Sequence, residues 1–204
     1  LCIGTSVTFT GTALNIAGGT VNYDFKVNGS SVQNSASNIF TTTTLANGNT
    51  VSCDITVTGG TCLTSTTAGS NTIATAVNPN STPTVNITAN PAGPVCTGTS
   101  VTFTATATGT AGGTINYDFK VNGTSVQSSA SNTFTSTTLA NGNTVTCDIN
   151  VIGGTCLTAT TASSNTITMT ISATVTPTAG IVASSATICA GTSVTFTATP
   201  TNGG

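Results

Sequence analysis

The side chains able to ionise are Lys26, Lys120, Asp24, Asp54, Asp118 and Asp148, with seven cysteines and two tyrosines, in a chain of 204 residues. His, Trp, Glu and Arg are absent. That inventory limits the available chemistry. General acid–base catalysis usually recruits His or Glu. Zinc and most transition metals want imidazole or clustered carboxylates. Two carboxylates per repeating unit fall short of the six to eight oxygens of a calcium cage. No nucleophile–base pair stands out, so the expectation is a protein that is not an enzyme and holds no cofactor or metal. Thiol pairing and ion pairing are what remain.

The thiols are Cys2, Cys53, Cys62, Cys96, Cys147, Cys156 and Cys189, with no Cys-x-x-Cys pair among them. Recurring cysteines in a Thr-rich, Lys-poor chain fit an oxidising, extracellular setting. Within the first repeating unit the candidate disulfides are Cys2–Cys53, Cys53–Cys62 and Cys2–Cys62, and spacing does not choose among them. One cysteine per unit is then left over, as a free buried thiol or as a bridge between repeats or chains. The charges form the second candidate site. Asp24 and Lys26 are two residues apart on an alternating stretch and so share an outer face, which Asp54 on the neighbouring strand joins. Asp118, Lys120 and Asp148 repeat the pattern. The plain reading is a surface ion pair worth about 0–1 kcal/mol; the sharper one is a subunit contact.

Charged residues are 3% of the chain and the formal charge is −2. A globular protein carries roughly a quarter charged residues. Two lysines cannot form the basic stripe that nucleic acid requires. No apolar run reaches the length of a membrane span. Thr contributes 52 residues; its arrays, such as Thr41–Thr44 and Thr135–Thr138, read as β-propensity with hydroxyl solvation, as O-glycan acceptors, or as a ranked hydroxyl surface. Asn28, Asn80, Asn86 and Asn122 head N-x-S/T triplets, so glycans join the expected partners.

The elements that must position these groups repeat. Cys2, Cys53 and Cys62 recur as Cys96, Cys147 and Cys156, 94 positions on, and Cys96 recurs as Cys189 after 93. Residues 2–77 align without gaps on 96–171 with 19 differences in 76 positions, so the two must share one fold. The hydrophobic period is two: Val21, Tyr23, Phe25 and Val27 alternate with polar residues, as do Val51, Cys53, Ile55 and Val57. Such alternation predicts half-buried strands. Gly18-Gly19, Asn28-Gly29, Asn47-Gly48 and Gly59-Gly60 supply the turns between them. In the second repeat the predicted strands are 84–89, 99–107, 114–122, 125–128, 131–138, 143–152 and 164–172. The fold class is all-β, tandem immunoglobulin-like β-sandwiches of about 94 residues. The expected core is Val7, Phe9, Tyr23, Phe25, Val27, Phe40, Val51 and Ile55 with their counterparts. The expected domains are 1–79, a first repeat lacking its own first strand; 80–176, a second repeat; and 177–204, the opening strands of a third.

The run Cys189-Ala-Gly-Thr-Ser-Val-Thr-Phe-Thr-Ala-Thr-Pro-Thr-Asn-Gly-Gly204 resembles the opening of the Ig-like/PKD-like tandem repeats of giant Bacteroidetes cell-surface adhesins, associated with gliding motility and type IX secretion. Tyr23-Asp-Phe-Lys-Val-Asn-Gly29 resembles the third strand of those repeats, with Phe25 and Phe119 where Trp is usual. Thr44–Cys53 resembles their turn into strand F, and Ser70-Asn-Thr-Ile73 their last strand. The resemblance implies export to the cell surface and a stalk or fibre role, and it transfers no catalytic residue.

Two functions follow as expectations: a structural filament or spacer unit, and an adhesin module that itself binds polysaccharide. Absent Trp and inward-facing aromatics weigh against the second. Residues 188–204 repeat 1–17, so joining 187 to Leu1 would make an unbroken array. The chain then reads either as a window on a long covalent array, or as a subunit that polymerises by donating its tail strand near 180–187. The window is the favoured reading, because donation leaves the copied strand 192–199 with nothing to complete. Both give head-to-tail continuity along a fibre.

Overall fold

The computed structural model describes residues 1–202; Gly203 and Gly204, the end of the expected third-repeat segment, lie outside the described residues. The described residues contain strands and turns and no helix. The first repeat contributes β1 (Val7–Thr10), β2 (Thr20–Val27), β3 (Ser30–Ser35), β4 (Ile39–Thr42), β5 (Thr50–Thr58), β6 (Thr67–Gly69) and β7 (Ile73–Ala74). The second contributes β8 (Thr84–Asn90), β9 (Val95–Cys96), β10 (Val101–Thr108), β11 (Thr114–Val121), β12 (Thr124–Ser129), β13 (Thr133–Ser136), β14 (Thr144–Ile152), β15 (Thr161–Ser163), β16 (Ile167–Thr168) and β17 (Ile171–Ser172). The tail forms a hairpin of β18 (Thr178–Ala183) and β19 (Phe196–Thr201).

In the second repeat a three-stranded sheet, β13-β10-β8, faces a larger one, β12-β11-β14-β15 with β16 also on β14. Alternation explains the packing. Val101, Phe103 and Ala105 of β10 point inward, as do Tyr117 and Phe119 of β11 and Val145, Cys147, Ile149 and Val151 of β14. Phe134 stacks between the sheets, with its ring 6.0 Å from Phe103 and 5.7 Å from Phe119. This is an immunoglobulin-like sandwich, two antiparallel sheets closing on one apolar layer. The expected last strand, 164–172, is broken into short pieces. Asn143 takes the backbone of Met169 and Asn141 that of Ile171, so the segment leaves the β14 ladder and finds β9, to which β17 pairs in parallel.

The first repeat copies the larger sheet as β3-β2-β5-β6, with β7 on β5, but among the described residues its second sheet is the pair β1-β4. No described strand lies where β8 lies in the second repeat. Its core is correspondingly thin: Phe25, Phe40, Leu45, Val51, Cys53 and Val77 are buried, while Val7, Phe9, Tyr23, Val27 and Ile55 are only partly covered. Phe103 is 0% exposed, whereas its counterpart Phe9 is half-buried. Asn28 and Asn122 turn the β2–β3 and β11–β12 hairpins at positive φ, 50° and 51°. Each also accepts the backbone N–H of Thr50 or Thr144 on its side-chain oxygen, tying hairpin to neighbouring strand.

Candidate functional site

The cysteines occupy two kinds of place. Cys53 and Cys147 lie on inward registers of β5 and β14, buried in the two cores. Burial pushes the Cys147 thiol up to about 11, with the Asp148 and Asp118 charges adding to it. Cys53 is raised in the same way, by burial first and then by Asp54. Both are poor nucleophiles for that reason. The residue facing Cys53 from β1's end is Gly11, whose position would bring a Cβ within 3.5 Å of the Cys53 sulfur; Ala105 fills that position in the second repeat.

Cys2 bonds Cys156, a disulfide between the two repeats. The within-repeat pairs Cys2–Cys53, Cys53–Cys62 and Cys2–Cys62 do not form, and the geometry explains why. Cys2 bridges Asn78, which follows β7, and β7 pairs with the first residues of β5. Cys62 lies beyond the other end of β5, where Thr61 N–H donates to Ala17 O. At about 3.3 Å per residue, a nine-residue strand separates those two ends by almost 30 Å. Cys53 is near the right end but faces the core. Cys2 therefore reaches only forward, to the late cysteine of the next repeat. Around that bond, Ser81 N–H donates to Cys156 O (2.8 Å) and Thr158 N–H to Ser81 O (2.9 Å). Thr82 and Thr158 hydroxyls share a 2.6 Å hydrogen bond. Cys62, Cys96 and Cys189 are exposed and free.

The ion cluster forms in both repeats. Asp24 and Asp54 face each other directly across β2 and β5, a like-charge pairing that would destabilise the sheet unaided. Lys26 Nζ sits 2.5 Å from Asp54 Oδ2 and 3.6 Å from Asp24 Oδ2, and the Ser31 hydroxyl donates to Asp24. Lys120 holds Asp148 at 2.6 Å and Asp118 at 3.6 Å in the same way. The hydrogen bond and charge of Asp54 raise the Lys26 ammonium, those of Asp148 raise Lys120, and bonds from Lys120 and then Ser163 hold the Asp148 carboxyl low. The six residues thus solve a local charge problem on an outer sheet face. Among the described residues no group of three or more His, Cys, Asp or Glu could hold a metal ion, and no helix is long and apolar enough to cross a membrane.

A further feature follows from the first strand that the first repeat lacks. Beside β1 runs a groove of ≈ 440 Å³ lined by Phe9, Gly11, Phe25, Val51, Cys53 and Asn71 among others. In the second repeat β8 fills this space, with Ile87 2% exposed and opposite Ala105. Asn165 brackets β8, accepting Ile87 N–H at 2.8 Å and donating to Ile87 O at 3.1 Å. Asn71, its counterpart, lines the groove instead. The missing counterpart of 84–89 pointed to an open edge here, while the Ser-Asn-Thr-Ile run shared by both repeats, expected as a last strand, gave no sign of the bracketing amide.

No protein-family model and no curated protein matches the chain. Among solved structures it is similar to the fibronectin(III)-like modules of Clostridium thermocellum CbhA, at 16% identity and a TM-score of 0.33 over 83% of this chain and 86% of that one. It is also similar to the three N-terminal domains of the bacteriophage RB49 Highly Immunogenic Outer Capsid protein, at 10% identity and a TM-score of 0.34 over 98% of this chain and 65% of that one. A third is the Bacteroides ovatus mixed-linkage glucan utilization locus SGBP-B in complex with a mixed-linkage heptasaccharide, at 13% identity and a TM-score of 0.19, where this chain spans 43% of the other.

Proposed function

We propose that the chain is a structural, extracellular repeat module, a spacer or filament unit rather than an enzyme, organised as 1–79, 80–176 and the opening of a third unit from 177. The observation that carries this reading is the Cys2–Cys156 bond, which joins successive repeats instead of stapling either one internally. A disulfide spent on the junction favours a defined angle between units, and that is useful to a stalk. It also suits an oxidising exterior. Polysaccharide binding has less support: stacking platforms need exposed aromatic faces, and the phenylalanines of both repeats pack against their cores, leaving Phe196 of β19 exposed. Negative-stain imaging of the native material is the test. Straight, regularly beaded fibres are expected; compact particles, or strings bent at random between beads, would overturn the reading.

A further inference from the structure

We propose that a second copy of this chain docks head-to-tail on the first, repeating at the junction between chains the geometry that joins the two repeats within one. In that junction β18 of one copy seats in the groove beside β1 of the next, and Cys96 of the first bonds Cys62 of the second. The proposal rests on the structural-repeat reading and supplies the contact by which units would follow one another.

Two independent observations give the same partner in the same order. The first is the open edge. β18 aligns on β8 at an offset of 94, placing Ile181 on Ile87 and Ala183 on Ala89. It also pairs with β19 in the register that β8 uses with β10: Ile181 faces Ala198 as Ile87 faces Ala105, and Ala183 faces Phe196 as Ala89 faces Phe103. Yet among the described residues the tail hairpin is a two-stranded sheet by itself, and Ile181 is 70% and Phe196 66% exposed. Seated beside β1, Ile181 would come opposite Gly11, over the half-buried Phe9, and Asn71 would bracket its backbone as Asn165 brackets Ile87. An edge strand then gains a backbone partner and the groove an apolar filling. The copied strand β19, which had no evident use, acquires one: it shields β18 in the free chain until β1 of another copy displaces it.

The second observation is the thiols. The bond already formed runs from the opening cysteine of one repeat, Cys2, to the late cysteine of the following one, Cys156. Continuing that rule, Cys96 needs a late cysteine from a following repeat, and Cys62 an opening cysteine from a preceding one. Both are exposed and free. Both already have the bonded geometry: Cys62 has φ 59° against 63° for Cys156, and Cys96 pairs in parallel with Ser172 as Cys2 does with Asn78. The connections are of equal length, since β8 begins six residues after Asn78 and β18 six after Ser172. Thr176 and Thr64 stand at the positions of Thr82 and Thr158. Oxidation proceeds by exchange with a small-molecule disulfide. The Cys96 thiolate displaces one thiolate from it to give a mixed disulfide. The Cys62 thiolate then attacks the Cys96 sulfur and releases the second, so two thiols are oxidised and one disulfide is reduced to two thiols.

The test uses the 204-residue chain carrying Cys189→Ser, an exposed position, incubated with oxidised glutathione. A non-reducing gel should show a ladder in multiples of 19.8 kDa that reductant collapses to one band. Adding Cys62→Ser or Cys96→Ser should abolish the ladder in either variant alone, while mixing the two should give a discrete dimer. Ile181→Asp, at a position exposed in the free chain, should leave the melting temperature of the monomer unchanged and lose both the ladder and concentration-dependent light scattering. A chain that stays monomeric before and after oxidation, a dimer absent from the mixture, or a ladder undiminished by Ile181→Asp would each overturn the proposal. A monomeric result would leave the imaging of native material to decide the spacer reading separately.

Discussion

At the scale of the residue, the two repeats form a natural pair of controls, because near-identical side chains sit in unequal surroundings. Phe103 is fully covered by β8 and the facing sheet, while Phe9 borders the groove. Phe103→Ala should cost about 3–5 kcal/mol, as buried Phe truncations do. Phe9→Ala should cost about 1–2 kcal/mol, since less apolar area is removed from contact. Urea unfolding followed by tyrosine emission reads the two separately, with Tyr23→Phe leaving Tyr117 as the reporter for the second repeat. The titrating groups set the pH profile. Asp148 has a depressed pKa, so its contribution is complete above the ordinary carboxylate range and is lost as pH falls through the lowered value. Lys26 and Lys120 have raised values, so theirs is complete below the ordinary lysine range and is lost as pH rises through the raised ones. Cys147 acts in the same alkaline direction: the unfolded thiol ionises from its ordinary value of 9.0, the folded one only at about 11. Melting temperature should therefore be flat from about pH 5 to 8 and fall above about pH 9. Cys147→Ala should flatten the first part of that fall; an unchanged alkaline slope would show that another group controls it.

At the scale of the element, β8 decides how complete a sandwich is, and one amide holds it. Asn165 satisfies both backbone groups of Ile87, which point away from β10 on the outer edge of its sheet. Asn165→Ala leaves them without that partner and should destabilise the second repeat by about 1–3 kcal/mol. Asn71→Ala, where the groove is open, should change stability by less than about 0.5 kcal/mol. Amide hydrogen exchange checks the mechanism as well as the magnitude: Ile87 should lose protection in Asn165→Ala, and no amide should respond comparably in Asn71→Ala.

At the scale of the whole molecule, the disulfide closes a sequence separation of 154 residues, and chain-entropy arguments assign a loop of that size up to about 5 kcal/mol. Cys2→Ser should lower the melting temperature without altering strand content. It should also loosen the junction, since the connecting stretch is then held by hydrogen bonds alone, from Asn80 to Ile3 O on the first repeat and from Ser81 and Thr82 to Cys156 and Thr158 on the second. Small-angle scattering should record a broader distribution of interatomic distances for Cys2→Ser than for the parent. Identical profiles would assign the junction's rigidity to those hydrogen bonds instead.

Much of this was legible in the residues. Alternation at period two dictates half-buried strands, because successive side chains leave a pleated backbone on opposite sides. The Asn-Gly and Gly-Gly pairs mark the turns, because they accept positive φ. A gapless 94-residue repeat requires the same fold twice. The outer-face position of Asp24, Lys26 and Asp54 followed from the same alternation, since two-residue spacing fixes a face without knowledge of any partner. What only the tertiary structure decided was everything that depends on which surfaces meet. The partner of Cys2 lies 154 residues away in another sandwich, and no within-repeat spacing encodes that distance. The open edge beside β1 follows from the missing counterpart of 84–89, but its consequence is tertiary: Phe9 and Phe103 sit in matching sequence, and a neighbouring strand makes Phe103 a core residue while its absence leaves Phe9 as the wall of a groove. Local pattern determines the strand and its faces; long-range pairing determines what each face covers.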